Sequence, residues 1–272
     1  FQSPTISGME ISDGRIYIGL KDGRLLESGQ QLSGNLSFIN VLQNQNKISI
    51  DKISQDSNGN ILLYDSKDGL YRYTLSTKVL SKVPNMTSLV VGNASAFLSA
   101  TINTREYLYY FNPLTKDLMR SLRTGDGYAN PEVRIHDDSF DQATSLTIDG
   151  RIWVATRGMI KKYYDANEEP VNFNQALYDF PITKIMNIKA TNDKLVLSDD
   201  ASKRVIVFGK VEALTENSLN YIASYILKSK TNPEGFNSIV DFEFGDGFIY
   251  ILDSKKLYRA TYQIPAEYLV GI

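Results

Sequence analysis

The chain has no cysteine and a single histidine, His136. The first absence excludes disulfides, thiolate metal sites and cysteine nucleophiles. The second excludes a metal cage of two or three histidines from one chain, and leaves a serine hydrolase with one available base. No stretch approaches the roughly 20 apolar residues that a membrane-crossing helix needs. Neither charge sign dominates, with 29 Lys and Arg against 31 Asp and Glu. Without a long basic run, nucleic acid is not an expected partner. Helical periodicity is almost missing: residues 211–222 could hold one short helix and 266–270 a single turn.

What remains is an ordinary globular composition, 42% hydrophobic and 22% charged over 272 residues, enough for one large all-β domain. The sequence starts at Phe1, which reads as a processed mature chain or a trimmed one. The missing cysteine is compatible with a bacterial extracytoplasmic location (envelope or secreted), which is the expectation, with a cytoplasmic one as the alternative.

The informative feature is a repeat. An apolar strand, an Asp-Gly or Asn-Gly turn, a second apolar strand, a polar turn and a Tyr/Leu-rich third strand recur around six turns. These are Asp13-Gly14, Asn58-Gly59, Gly92-Asn93, Asp149-Gly150, Asn192-Asp193 and Asp246-Gly247. The spacing averages about 47 residues, the length of a four-stranded propeller blade. Gly, Asn and Asp suit such turns because they tolerate positive φ. The second strands fall at 15–18, 60–63, 96–99, 151–154, 194–197 and 248–251. They are apolar nearly throughout, which implies burial on both faces. Third strands follow at 24–26, 70–73, 107–111, 160–163, 204–207 and 256–259. Outer strands are expected at 38–41, 79–81, 118–121, 173–176 and 223–226. The expected fold is therefore all-β, a single six-bladed β-propeller over 1–272 with four-stranded antiparallel blades. The blades run approximately over 7–45, 46–84, 85–127, 142–180, 181–228 and 238–272. Either 267–270 or 1–6 closes the last blade. The longer insertions, 124–143, 166–181 and 211–237, are candidates for functional loops.

Segments such as 145–154 (Ser145 to Val154) and 248–253 (Phe248 to Asp253) resemble six-bladed propellers of the NHL and TolB-like superfamily. Residues 143–262 are also similar to propellers that follow phosphatase domains in bacteria with reduced genomes. The resemblance implies binding of proteins, peptides or glycans. It also admits a lactonase or lyase branch with a metal ion in the central channel.

Two constellations follow. Just after the second strands stand Asp65, Asp199 and Asp253, with Asp68, Arg105, Arg157, Asp200 and Lys203 in the turns beside them. In a propeller these loops share one rim, so they form a polar ligand or partner site, or each Asp caps its own turn. Phe236, in the connection at 232–236, is expected exposed and would add apolar contact. The expected function is noncatalytic recognition of a protein, peptide or glycan by Asp65, Asp68, Arg105, Arg157, Asp200, Lys203, Asp253 and Phe236.

The second constellation lies on the first strands, where polar residues alternate: Glu10, Lys52, Asn187, Lys189, Asp241 and Glu243 among them. Glu10, Asn187, Asp241 and Glu243 offer hard oxygen ligands for Ca²⁺, giving the alternative of a metal-dependent lactonase-like hydrolase. Lys52 and Lys189 in the same ring oppose a cation and would instead pair with the carboxylates. The segment 134–141, with His136 among acids, invites a catalytic triad, but sequence neighbours do not converge in space as triad members must. No other cofactor is expected.

Overall fold

Tight turns set the architecture. Asp13 and Gly14 adopt φ of 49° and 65°, and Gly59, Gly150 and Gly247 adopt 80°, 102° and 76°. Each reverses the chain between two strands that then pair in antiparallel register. The computed structural model describes residues 5–29, 36–42, 48–86, 96–174, 180–191, 193–213, 216–226, 235–245 and 247–262. Expected features at Gly92-Asn93, Asn192, Asp246, 1–4 and 266–270 lie outside them. Of the two segments expected to close the last blade, 267–270 lies outside the described residues and 1–6 is described only at Thr5 and Ile6, the latter in the first strand of the first sheet.

Six sheets follow one another along the chain, the blades of an all-β, six-bladed β-propeller. Among the described residues the only helical element is a 3-10 turn at Asp138–Gln142. The contacts divide the chain into two units, Phe1–Asp141 and Gln142–Ile272.

The first unit holds three sheets. Sheet 1 orders β1 (Ile6–Ser12), β2 (Arg15–Leu20), β3 (Leu25–Ser28) and β4 (Phe38–Asn40). Sheet 2 orders β5 (Lys52–Gln55), β6 (Ile61–Asp65), β7 (Gly69–Thr74) and β8 (Val79–Lys82). Sheet 3 contains β9 (Phe97–Ile102), β10 (Arg105–Asn112), β11 (Asp117–Thr124), β12 (Gly127–Tyr128) and β13 (Glu132–His136), the last two both pairing with β11.

In the second unit, sheet 4 orders β14 (Ala143–Ile148), β15 (Ile152–Thr156), β16 (Ile160–Tyr164) and β17 (Asn167–Glu169). Sheet 5 contains β18 (Asn172–Phe173), β19 (Ile185–Ala190), β20 (Lys194–Asp199), β21 (Arg204–Ala213) and β22 (Glu216–Tyr225). Sheet 6 has three described strands, β23 (Ile239–Gly245), β24 (Phe248–Asp253) and β25 (Leu257–Thr261).

Burial follows the sequence pattern. All five residues of β6 and of β15 are buried, as are the last five of β2, β20 and β24. Strands apolar on both faces lie between neighbouring sheets, where each face meets another blade. Tyr17, Tyr71 and Tyr73 pack with Leu25, Ile53 and Ile61 between sheets 1 and 2. Trp153 packs with Ile188, Leu195, Ile206 and Phe208 between sheets 4 and 5.

Four strand assignments differ from expectation. Sheet 3 is displaced by one strand: residues 97–102 pair only with β10 among the described residues, and they pack on β5 as β5 packs on β1. They therefore take the first position, not the second. The reversing turn is Asn103-Thr104, with φ of 48° and 65°. The expected loop 124–143 instead supplies outer strands, β13 pairing Asp117 with His136 and Leu118 with Ile135. Phe173 leaves sheet 4 and pairs in parallel with β22 of sheet 5, because its ring packs edge-on against Phe208. Finally, 211–222 forms no helix: β21 and β22 run on as a long antiparallel hairpin, with Lys210 opposite Leu219.

Candidate functional site

Three blades end their second strand in an aspartate, and all three use it in the same way. Asp65 accepts from the backbone N–H of Ser49 at 2.8 Å and of Lys67 at 2.8 Å. Asp199 accepts from Thr183 at 3.0 Å, Lys184 at 2.7 Å and Ser202 at 2.7 Å. Asp253 accepts from Asn237 at 2.9 Å and Lys255 at 2.7 Å. In each case one oxygen binds the segment entering the blade, 16 residues upstream, and the other binds the turn that follows the strand. All three side chains are buried, with Asp199 and Asp253 at 0% exposure. A buried carboxylate that accepts several backbone N–H groups is satisfied without a counter-ion, and it fixes both loops at once. Asp65 and Asp253 thus shape the loops from beneath.

The other expected site residues divide by unit. In the first, Asp68 lies at the surface, bound to Lys82 at 2.5 Å and to the Tyr71 hydroxyl. The Lys82 hydrogen bond, then that from Tyr71, hold its carboxyl below the usual range. Arg105 departs from expectation: it is exposed at the start of β10, beside the Asn103-Thr104 turn, at the opposite strand end from the loops that follow second strands. In the second unit, Arg157 is exposed after β15. Asp200 is buried, and Lys184 and Lys203 each reach it at 2.6 Å. Burial alone would raise the Asp200 carboxyl, but the two ammonium donors outweigh it and hold it low. Lys203 also donates to the Asn237 carbonyl at 2.7 Å, so Asp200, Lys203 and Asp253 converge on one joint between sheets 5 and 6.

Phe236 corrects an expectation. It is 4% exposed and stacks edge-on against Tyr258 at 5.3 Å, within a cluster that includes Val205, Phe242 and Ile251. A ring beside a connection can lock that connection to the core, and this one does so.

The alternating polar residues of the first strands stitch neighbouring strands together. Ser145 and Thr147 on β14 accept from the Ile188 and Ala190 N–H groups of β19. Asn187 of β19 donates to the Val240 carbonyl of β23 at 2.6 Å, and Lys189 pairs with Glu243. Burial pushes the Glu243 carboxyl up, while the Lys189 ammonium pulls against it. Asn187 and Glu243, two of the four oxygen donors considered for Ca²⁺, are thus engaged with protein groups. Among the described residues no three His, Asp or Glu side chains gather closely enough to hold a metal ion.

Sequence reasoning missed a charged cluster in the first unit. Asp56 binds the Arg72 guanidinium at 3.0 Å. Glu106 accepts from Arg123 at 2.5 Å, from the Tyr128 hydroxyl at 2.8 Å, from Ser99 at 3.0 Å and from Ser57. These groups join sheet 2 to sheet 3. The available signal was Arg72 itself, a charge inside the apolar third strand Leu70–Tyr73.

No protein-family model matches the sequence, and no curated protein matches it. Solved structures do. A WD40 β-propeller domain of Doa1 is similar over 97% of this chain and 95% of its own, at 12% identity and a TM-score of 0.57. A nidogen/laminin complex structure matches over 81% of this chain and 79% of its own, at 14% identity and 0.56. A catalytically inactive virginiamycin B lyase from Staphylococcus aureus, with quinupristin, matches over 97% of this chain at 12% identity and 0.54. Likeness at such identities establishes the propeller fold and nothing finer.

Proposed function

We propose that this chain is a noncatalytic interaction module that recognises a protein partner through the loops following its second strands. The observation that supports this reading best is the repeated clamp by Asp65, Asp199 and Asp253. It holds the connecting segments and turns in fixed shape before any partner arrives, so little ordering entropy is lost on binding. Exposed Arg157 supplies contact charge in the second unit, and Asp68 an acceptor in the first. The similar structures include a nidogen/laminin complex and a WD40 domain, which is compatible with protein recognition. The proposal carries with it an NHL- or TolB-like ancestry and an extracytoplasmic location.

The test is affinity capture from the native organism with wild type, Asp68→Lys and Arg157→Glu side by side. The expected result is one partner retained by wild type and lost with at least one charge reversal, thermal unfolding being unchanged. Equal retention by all three proteins excludes a role for these two residues.

A further inference from the structure

Below the β1–β2 turn, the first unit contains a cleft of about 810 Å³ that opens to solvent between sheets 1 and 2. Strand direction puts it at the opposite strand ends from the clamped loops. Its walls include Arg15, Gln55, Asn58, Asn60 and Lys78, with Asp13 at the turn. We propose that it binds an acidic, extended peptide segment, with a carboxylate held by Arg15 and Lys78. This inference goes beyond the loop-rim reading and concerns a separate site.

Charge supports the anionic end. Arg15 and Lys78 both pair with one carboxylate, Glu27, which is 2% exposed. Two cations on a single buried anion leave one positive charge uncompensated. The Arg15 and Lys78 side chains keep 25% and 48% of their surface exposed. Asp13 opposes a second negative charge, so a lone carboxylate fits better than a polyphosphate or a nucleic acid. Amide chemistry supports the peptide. Gln55 and Asn58 offer side-chain amides, which can donate to and accept from a peptide backbone, while the Asn60 amide is engaged with Asp56 and the Leu75 N–H. The cleft has a single aliphatic lining residue, Leu75, and no aromatic ring on which a sugar would stack.

The walls are fixed in advance. Asp56, beneath the 57–60 turn, accepts from the Asn58 N–H at 3.0 Å and the Asn60 N–H at 2.9 Å. Asn60 accepts from the Leu75 N–H at 3.2 Å, which ties that turn to the β7–β8 turn. Ser12 donates to the Gly59 carbonyl at 2.6 Å and accepts from Gln55 at 2.7 Å, tying it to sheet 1. Preorganised donors of this kind lower the cost of ordering a ligand.

The probe is a fluorescein-labelled glycine-rich peptide with a single Glu, compared with its Gly-Gln counterpart, in which Gln replaces that Glu, and with a uronic-acid oligosaccharide. Anisotropy reads affinity, and amide shifts of Gly14, Gly59 and Ser76 read location. The acidic peptide is expected to bind, shifting those amides, with about tenfold weaker binding for the Gly-Gln peptide. Lys78→Ala is expected to weaken the acidic peptide about tenfold, and Lys78→Arg to restore it. Lys78 is the chosen position because it is half exposed and Glu27 keeps Arg15 when Lys78 is removed. Equal affinity for both peptides, a preference for the oligosaccharide, or shifts confined to other residues each overturn the proposal. Asp68→Lys and Arg157→Glu are expected to leave peptide binding unchanged, so failure here and failure of the loop-rim reading are told apart.

Discussion

Two junctions, one in each unit, solve the same packing problem with different chemistry. Where sheet 2 meets sheet 3, the first unit sets buried Asp56, Arg72, Glu106 and Tyr128, with partly buried Arg123, in one hydrogen-bonded cluster beside apolar Leu62, Tyr64, Leu108 and Tyr110. Where sheet 5 meets sheet 6, the second unit buries Val196, Val205, Val207, Phe242, Ile249 and Ile251. The register makes the contrast local. Arg72 stands opposite Leu62 on the paired strands, and Val207 stands opposite Val196 at the matching place. A blade junction therefore needs filled volume and satisfied groups, not one kind of residue. An apolar junction draws on transfer from water, whereas a charged one must offset desolvation with good geometry and gains angular specificity.

The comparison can be broken at four points. Phe242→Ala removes a ring that is 0% exposed, and the expected loss is about 3–5 kcal/mol of stability. Trp153, the only tryptophan, lies in the same unit and reports the unfolding in a urea titration. Glu106→Ala should cost about 2–3 kcal/mol, because Arg123 and Tyr128 lose the acceptor they share. Hydrogen exchange at β10 and β11 would localise that loss to the first unit. Asp253→Ala strands the N–H groups of Asn237 and Lys255 and should cost about 1–3 kcal/mol. Asp68→Ala, at a surface pair, should leave the melting temperature unchanged.

The smallest expected effect is in pH, and it has opposite signs in the two units. In Glu106, burial raises the carboxyl, but hydrogen bonds from Ser57, Arg123 and Tyr128 outweigh it and hold it below its usual range. A depressed carboxyl contributes stability above the ordinary Glu range, and that contribution is lost as pH falls through the lowered value. In Glu243 the burial wins and the carboxyl is raised. Its contribution is present below the ordinary range and is lost as pH rises through the raised value. Acidification should therefore weaken the first unit through Glu106 and relieve the second through Glu243. Denaturation across pH with Glu106→Gln and Glu243→Gln reads each slope separately, and slopes of the same sign would refute the assignment.

The sequence reveals what is periodic. Asp13-Gly14 and Asp149-Gly150 mark real hairpins, and runs such as Ile152, Trp153, Val154 and Ala155 are buried on both faces because nothing in them is suited to water. It misleads where a turn signal competes with another. Gly92-Asn93 reads like a hairpin, so sheet 3 is displaced, while the Asn103-Thr104 turn carries no glycine to announce itself. Phe236 reads as exposed because Pro233 and Gly235 surround it, but local composition says nothing about the cavity that Tyr258 and Phe242 leave for a ring. The site is legible only in part. The aspartates at the ends of second strands can be picked out, yet their role as loop clamps depends on N–H groups 16 residues upstream. The charged junction and the cleft depend on pairings between blades, such as Lys78 with Glu27, which no local pattern encodes.

One consequence follows from the aspartate clamps. Because each clamp grips backbone N–H groups from a carboxylate hidden under the loop, side chains such as those of Lys67 and Lys255 take no part in it. Those side chains can then be exchanged while the scaffold stays unchanged. Such a framework would let new partners be acquired by drift at the periphery.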